Sequence, residues 1–215
     1  PFVKNNFFEE NTKIGNLIDS AIVLQADDQV VFNANDNNPD VSSCEFLREK
    51  FGEIDFAMMN YNNAGPYPSC FENLTLPEKL LEHSNNLSRN IDFLADNLKA
   101  LKPRYLLPFA GAYVIGGNLH KKNEFLGTTT WDDCIERLQE RDDLGDVKFV
   151  ALRETGVFDV TNDRPLQSYV PIDSKEVSRY ISEELSLISY PYEQDDYPDL
   201  DDLFENLELS RIRLL

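Results

Sequence analysis

The stretch SAIVLQADDQVVFNANDNN, residues 20–38, decides the fold of this chain. Two short runs rich in β-branched residues, 20–24 and 29–33, flank a polar turn, which is the pattern of a β-hairpin. The second run opens into a polar loop at residues 33–40 that is rich in Asn and Asp and contains one Pro. This arrangement predicts two antiparallel strands followed by a tight, polar connection to the next element.

Predicted helices and short apolar strands alternate after this hairpin, which places the chain in the α/β class. Further strands are predicted at residues 54–60, 105–109 and 146–152, because these runs are apolar and bounded by polar residues. The predicted helices are one capped by Ser42 or Ser43, one of about 25 residues between Thr75 and Pro103, and two at residues 132–141 and 174–188. Their spacing predicts inner faces formed by Phe46, Leu47, Phe51, Leu80, Leu87, Ile91, Leu94, Leu98, Leu101, Val177, Ile181, Leu185 and Ile188.

The chain is strongly acidic, with 39 Asp and Glu residues against 20 Lys and Arg and a formal net charge of −19. A field of this sign repels phosphate backbones and anionic lipids, so we expect neither a nucleic-acid partner nor a membrane partner. No apolar run approaches the roughly 20 residues of a membrane span. Residues 1–11 also lack the apolar core of a secretory signal. These properties predict a soluble, cytoplasmic protein.

Part of the negative charge is concentrated in residues 193–208, which hold eight acids and no base. We interpret this segment either as a solvated tail or as an edge that faces a basic protein partner. A Ca²⁺ or Mg²⁺ site at residues 195–202 is the weaker alternative, because the glycine and the terminal Glu of an EF-hand loop are missing.

Several common site motifs are missing from the sequence. Cys44, Cys70 and Cys134 are widely spaced and form no CxxC pair, so we expect buried thiols in a reducing compartment and no zinc knuckle. Glycine-rich phosphate loops, a GxSxG elbow and an HExxH motif do not occur, so no nucleotide cofactor is indicated. The two histidines, His83 and His120, are too few for a three-nitrogen zinc site.

Asp36 is the most informative polar residue, because it lies in the loop that follows a predicted strand. Strand carboxyl ends are where α/β folds place functional side chains, and Asp36 with Asn35 and Asn37 offers oxygen ligands for a hard cation. The alternative is an ordinary turn, since Asn and Asp are usual turn residues. His120 is likewise either a ligand or an exposed loop residue, and His83 is expected to be a half-buried structural histidine.

Three segments, taken in order, resemble the metallo-β-lactamase-fold superfamily. Residues 20–38 look like its hairpin, whose second strand delivers an aspartate to the metal pair. IDFAMMNYNNAGPYPSCFEN at 54–73 looks like the next strand and its small-residue loop, and NLKALKPRYLLPFAGAY at 97–113 looks like the helix–strand unit that ends in PFAG. The combination is most similar to the branch containing CMP-N-acetylneuraminate hydroxylase and the L-ascorbate-6-phosphate lactonase-like hydrolases, and it spans residues 17–123.

The resemblance implies an αβ/βα sandwich, with residues 1–154 as its C-terminal portion and residues 155–215 as a helical, acidic extension that packs on it. It implies a divalent metal, Zn, Fe or Mn, in the full-length protein. Asp36 matches the ligating aspartate, and His120 is a looser match to the final ligand. The family hallmark HxHxDH is absent, so it either lies upstream of Pro1 or has been lost. This chain alone is therefore expected to bind no metal and to be inactive.

The implied function is that of the C-terminal part of a metal-dependent hydrolase-like or hydroxylase-like enzyme. Its small-molecule substrate would be a sugar or nucleotide-sugar, with loops 65–70 and 111–123 at the substrate rim. A sheet edge would stay open where the missing half packs. The hydroxylase relatives also use an iron–sulfur domain held by a Cys/His pattern, and this pattern is absent from the sequence. The alternative function is a catalytically inactive binding or scaffolding module whose acidic tail contacts a basic partner.

Overall fold

The fold is built on one mixed sheet of five strands. The computed structural model describes residues 20–37, 39–109, 111–194 and 200–214. The strands are β1 (Ile22–Ala26), β2 (Gln29–Asn33), β3 (Phe56–Met59), β4 (Tyr105–Pro108) and β5 (Lys148–Phe149), and they lie in the sheet in chain order. β1 and β2 form the predicted antiparallel hairpin, whereas the later pairings are parallel.

Helices connect the parallel strands and follow the last of them. They are α1 (Val41–Phe51), α2 (Leu76–Leu101), α3 (Trp131–Gln139), α4 (Ser174–Glu183) and α5 (Leu200–Leu214), with 3₁₀ helices at Gly117–Phe125, Leu185–Leu187 and Pro191–Gln194. The α/β class is therefore confirmed. A second small sheet of β6 (Phe158–Asp159) and β7 (Arg164–Pro165) is not predicted by the sequence. Within the described ranges, no helix is long and apolar enough to cross a membrane.

The structure confirms the predicted start of α2 and corrects the predicted start of α1. Thr75 begins α2 with a capping box, in which its N–H donates to the Glu78 carboxylate at 2.7 Å, so that prediction is confirmed. The prediction that Ser42 or Ser43 caps α1 is wrong. The cap is Asp40, whose carboxylate accepts from the Ser43 N–H at 2.7 Å. A carboxylate is a strong N-cap acceptor and also suits the positive end of the helix dipole.

One face of the sheet carries the main core. Neighbouring residues in register across the strands, from Phe32 through Ala57 to Leu106, are fully buried there. Side chains from α1, α2 and α3 pack against this row, and the cluster includes Leu47, Leu94, Leu98 and Leu138. Because all three crossover helices contribute to this one cluster, the sheet and its helices form a two-layer unit.

The other face of the sheet is apolar but only partly covered by the described residues. The ring of Phe158, in β6, lies 5.6 Å from that of Phe56 and 4.9 Å from that of Tyr105, and so covers the β3–β4 part of this face. At the hairpin end, Ile22 and Leu24 remain 50% and 60% exposed. We name this hairpin-end surface the open face; its exposed members are Ile22 and Leu24, and the partly buried Val31 and Met58 share the same side of the sheet, opposite the helices.

Three residues predicted to face inward are exposed. Leu80 is 51% exposed because α2 is much longer than the four- and five-residue strands it packs on, and its buried positions begin only at Ile91. Phe46 is exposed because α1 turns Ser43, Cys44 and Leu47 toward the core instead. Ile188 is exposed because α4 ends at Glu183, earlier than the predicted residue 188, and a 3₁₀ helix follows.

Candidate functional site

Three loops meet at the edge of the sheet where β2, β3 and β4 end. The Ala34 N–H donates to the Met58 carbonyl and the Phe109 N–H to the Met59 carbonyl, each at 2.9 Å, so each loop leaves its strand beside its neighbour. Ligands of open α/β sheets bind outside the carboxyl ends of the strands. This edge, which we call the strand-end rim, is therefore the candidate functional site.

Asp36 lies on the strand-end rim in a tight turn. Asn35 has a φ of +53°, and its N–H donates to the Asn33 side-chain oxygen at 2.8 Å. The Asn37 N–H closes the turn on the Ala34 carbonyl at 3.0 Å. Turn chemistry thus accounts for Asn33, whose side chain accepts a hydrogen bond, and for Asn35, which adopts a positive φ. The Asp36 side chain is exposed, so the turn presents this carboxylate to solvent at the rim.

Asn62 is a buried rim residue that sequence reasoning missed. It is 3% exposed, and its side-chain amide donates to the Thr129 carbonyl at 2.8 Å and accepts from the Thr129 N–H at 3.0 Å. This reciprocal pair joins the loop after β3 to the segment before α3. Gly111, at φ +120°, packs so closely that a Cβ would lie 2.9 Å from the Asn62 Cβ. The sequence carries no signal for this pair, because its members are 67 positions apart.

His120 lies in the 3₁₀ helix that follows β4, and its ring is held by the backbone. Its Nδ1 is 2.9 Å from the Gly117 carbonyl oxygen. A carbonyl only accepts hydrogen bonds, so Nδ1 carries the proton and the neutral ring keeps its lone pair on Nε2. Metal-binding histidines are commonly oriented in this way. Asn123 braces the same helix by donating to the His120 carbonyl at 2.6 Å.

The two loops predicted to shape a substrate rim are in contact with each other. The Tyr113 hydroxyl donates to the Gly65 carbonyl at 3.0 Å, and the Ser69 hydroxyl donates to the Lys122 carbonyl. The ammonium of Lys79, on α2, donates to the Ser69 carbonyl at 3.0 Å. Loop 65–70 is therefore held between α2 and the segment that contains His120.

A shallow groove of about 450 Å³ opens beside the loop after β3. We call it the amide groove; it is lined by Asn60, Tyr61, Asn62, Asn63, Arg89, Asn90 and Phe93. The Asn63 amide donates to the Asn90 side-chain oxygen at 2.8 Å, which ties the loop to α2. Amides both donate and accept hydrogen bonds and a guanidinium binds anions, so this lining suits a hydroxylated or anionic ligand.

A larger cavity, of about 700 Å³, lies at the opposite edge, beside the amino ends of β3 and β4. Asp143 in its wall pairs with Lys99 and with Arg141, both at 3.1 Å. Hydrogen bonds from Arg141 and then Lys99 lower the pKa of Asp143 to about 2. These charges are already paired, and this edge is not where α/β sheets bind ligands, so the strand-end rim is the stronger candidate.

The cysteines have the properties of structural thiols. Cys44 and Cys134 are buried, and burial raises the pKa of each thiol to about 12. A thiol that stays protonated at neutral pH is a poor nucleophile. Cys70 is half-buried and free. The expectation of buried thiols is confirmed for Cys44 and Cys134.

His83 is a half-buried structural histidine, as predicted from its place on α2. Its Nδ1 accepts from the Gly127 N–H at 2.9 Å, so the neutral ring carries its proton on Nε2. Burial, and then the positive charge of Arg137, lower the pKa of His83. Protonation at Nδ1 would place a donor against the Gly127 donor and break the bond.

We expect His83 to make the protein less stable in mild acid. A histidine whose pKa is lower in the folded state contributes stability that is fully present above its unfolded pKa of about 6.5 and is lost as pH falls through the lower folded pKa. The His83→Asn variant keeps an acceptor for the Gly127 N–H at the position of Nδ1 without titrating. Urea unfolding between about pH 7.5 and pH 5 should therefore show a smaller loss of stability in His83→Asn than in wild type.

The control for this measurement is Ser84→Asn, which adds an asparagine at the exposed neighbouring position while keeping His83, and which should keep the wild-type pH dependence across this range. Equal slopes of stability against pH in wild type and His83→Asn would contradict the assignment.

Asp36 and His120 do not make a metal site by themselves. No group of three or more His, Cys, Asp or Glu side chains in the part of the chain that the structure describes could hold a metal ion. A hydrolytic metal centre of the family type needs several neutral imidazoles in addition to a carboxylate. The described residues thus do not fit a metal on their own. Residues 195–199 of the weaker Ca²⁺ or Mg²⁺ prediction lie outside the described residues, as do residues 17–19 of the family resemblance.

Comparison with protein-family models, with curated proteins and with solved structures finds no match for this chain.

Proposed function

We propose that this chain is the C-terminal part of a cytoplasmic, metal-dependent hydrolase-like or hydroxylase-like enzyme of the metallo-β-lactamase fold. The observation that carries the proposal is the one-sided covering of the sheet. An apolar face of a sheet is normally buried against another layer of structure. Here α1, α2 and α3 pack on one face, while the described residues leave Ile22 and Leu24 of the open face exposed.

The open face is suited to packing against a second sheet layer. Its side chains are aliphatic, with the polar Asn33 lying between Ile22 and Met58 in the register, and such a largely apolar surface suits the packing of another β-sheet better than the binding of a charged partner. A second αβ unit on this face would complete an αβ/βα sandwich. That unit would also carry the histidine cluster that this chain lacks.

Asp36 is the residue through which this chain would contribute to the metal site. It is an exposed carboxylate on a turn that internal hydrogen bonds hold in place, at the rim where strands end. His120 is the second candidate, because its Nδ1–H is engaged and its Nε2 lone pair remains for a ligand bond. The described residues complete no site, so we assign them no catalytic step.

The amide groove supports a sugar or nucleotide-sugar substrate. The Asn62 amide is engaged with Thr129 and the Asn63 amide donates to Asn90, but the buried Nδ2 of Asn90 has no partner among the described residues and can donate to a hydroxyl group. Arg89 at the groove wall contacts the Asn86 side chain and lies 4.0 Å from Glu82, and its guanidinium, 66% exposed, can still reach a carboxylate or phosphate.

Metal analysis of the full-length gene product tests the proposal. Wild type should carry near-stoichiometric Zn, Fe or Mn by plasma mass spectrometry, and Asp36→Ala should lose most of it, since removing a ligand leaves an open coordination position. The matched control is Asp28→Ala, which removes an exposed acid from the β1–β2 turn and should leave the metal content unchanged. A metal-free wild type, or full metal retention in Asp36→Ala, would overturn the proposal.

A catalytically inactive binding or scaffolding module is the second candidate function. It is favoured by the concentration of negative charge at residues 193–208, which hold eight acids and no base and suit a basic protein partner. The same metal analysis separates the two functions, because an inactive module would leave wild type and Asp36→Ala equally free of metal.

A further inference from the structure

Helix α5 exposes an apolar stripe to solvent. Every side chain from residue 201 to residue 211 is exposed. Leu203 is 41%, Phe204 63% and Leu207 56% exposed, which is high for large apolar side chains. A helix that packed on its own domain would bury such residues. Isolated helices of about 15 residues are marginal in water, so this helix gains stability if its stripe is covered.

The stripe has the spacing of a helix that binds in a groove. Phe204 and Leu207 follow Leu203 by one and four positions, so the three side chains lie on one side of α5. Four acids lie on the other sides of the helix, Asp201, Asp202, Glu205 and Glu208, together with exposed Asn206, Leu209, Ser210 and Arg211, of which Arg211 pairs with Glu208 at 3.0 Å. Apolar anchors at such intervals, flanked by charge, are how amphipathic helices enter apolar grooves of other proteins.

The charge around the stripe indicates the chemistry of what covers it. Residues 193–208 carry eight acids and no base, and the chain as a whole has a formal net charge of −19. A second copy of this chain would repel the helix, and so would an anionic membrane surface. A groove rimmed by Lys and Arg would attract it and would pair with the acids beside the anchors.

We propose that α5 is a docking helix that inserts Leu203, Phe204 and Leu207 into an apolar groove of a different protein, whose rim is rich in Lys and Arg. Phe204 is the central anchor, since it is the largest and most exposed of the three. The proposal does not depend on the metal site, because the residues of α5 are distinct from Asp36 and His120.

The first test asks whether the stripe packs on this chain. Thermal unfolding of Phe204→Ala should match that of wild type, because an exposed side chain contributes little to the stability of its own domain. A clear fall in the midpoint of the main unfolding transition would show that Phe204 is buried against this chain, and it would overturn the proposal.

The second test identifies the partner through the stripe. A photo-cross-linking amino acid is placed at Phe204 and, as a control, at Leu209, which is exposed on the acidic side of the same helix. Adducts in cells should form from position 204 and not from position 209. The cross-linked protein, once purified, should bind wild type about tenfold or more tightly than it binds Phe204→Ala, whereas Leu209→Ala should change the affinity little.

The third test measures the salt dependence of partner binding and checks two other candidates for covering the stripe, a second copy of this chain and a lipid surface. Affinity for the purified partner should fall as NaCl is raised from about 50 to about 300 mM, because charge pairing at the rim is screened. The proposal is overturned if position 204 cross-links only to a second copy of this chain. It is also overturned if vesicles of phosphatidylcholine bind wild type but do not bind Phe204→Ala.

Discussion

The Asn62→Asp variant should be less stable than wild type by about 3 kcal/mol or more. In wild type the Asn62 amide donates to the Thr129 carbonyl at 2.8 Å and accepts from the Thr129 N–H at 3.0 Å, in a position that is 3% exposed. A carboxylate cannot donate, so one of its oxygens would face the Thr129 carbonyl oxygen. The variant both buries a charge and leaves that carbonyl without its donor. Urea unfolding at neutral pH measures the loss.

A pH series and a matched variant separate this effect from a general effect of added charge. Protonation of the new carboxyl restores a donor for Thr129, so the stability difference between Asn62→Asp and wild type should narrow as the pH is lowered. Asn73→Asp adds the same charge at an exposed position, and it should change stability by no more than about 0.5 kcal/mol. Equal losses in the two variants would show that the Asn62–Thr129 pair does not hold the rim.

The Leu98→Ala variant should lose about 2–5 kcal/mol of stability, because it opens a cavity in a fully buried site. Leu98 is 0% exposed in the cluster formed between α2 and the helix-side face of the sheet. The surrounding core comes from the sheet as well as from α2, so it can collapse only partly into the space left behind. The midpoint of urea unfolding, with the slope unchanged, reports the loss.

Leu80→Ala is the comparison that makes the Leu98 result specific to the fold. Both leucines lie on α2, and helical spacing alone assigns both to its inner face. The structure leaves Leu80 51% exposed, so its truncation should change stability by no more than about 0.5 kcal/mol. Similar losses in the two variants would mean that the first half of α2 is also packed, and would contradict the described fold.

The elements that could be predicted are those that neighbouring residues specify. The β1–β2 hairpin follows from two runs rich in β-branched residues on either side of a polar turn, and the start of α2 follows from Thr75 just before Pro77. The cap of α1 was missed although it is also local. Asp40, Ser42 and Ser43 are all good N-cap residues, and the choice among them depends on the backbone angles at the end of the preceding loop.

The sequence predicts only the part of the candidate site that adjacent residues specify. Asp36 stands out because a polar turn after a strand can be read from adjacent residues. The amide bridge between Asn62 and Thr129 cannot be found in this way, because the two residues meet only when the loop after β3 reaches the segment before α3. The small sheet of β6 and β7 cannot be predicted from adjacent residues either, because Phe158 is positioned by its contacts with Phe56 and Tyr105.

The hairpin stretch at residues 20–38 thus determined, by itself, that the chain begins its sheet with two antiparallel strands and a polar rim loop. Strand–helix alternation then determined the α/β class, because both signals repeat within a few residues. Only the tertiary structure decided which apolar residues are buried. Ile22 and Leu24 belong to an apolar strand, yet they stay exposed because the crossover helices pack together on the opposite face. The period of the sequence pattern assigns a side chain to one face of a strand or helix, whereas its burial depends on what else in the molecule covers that face.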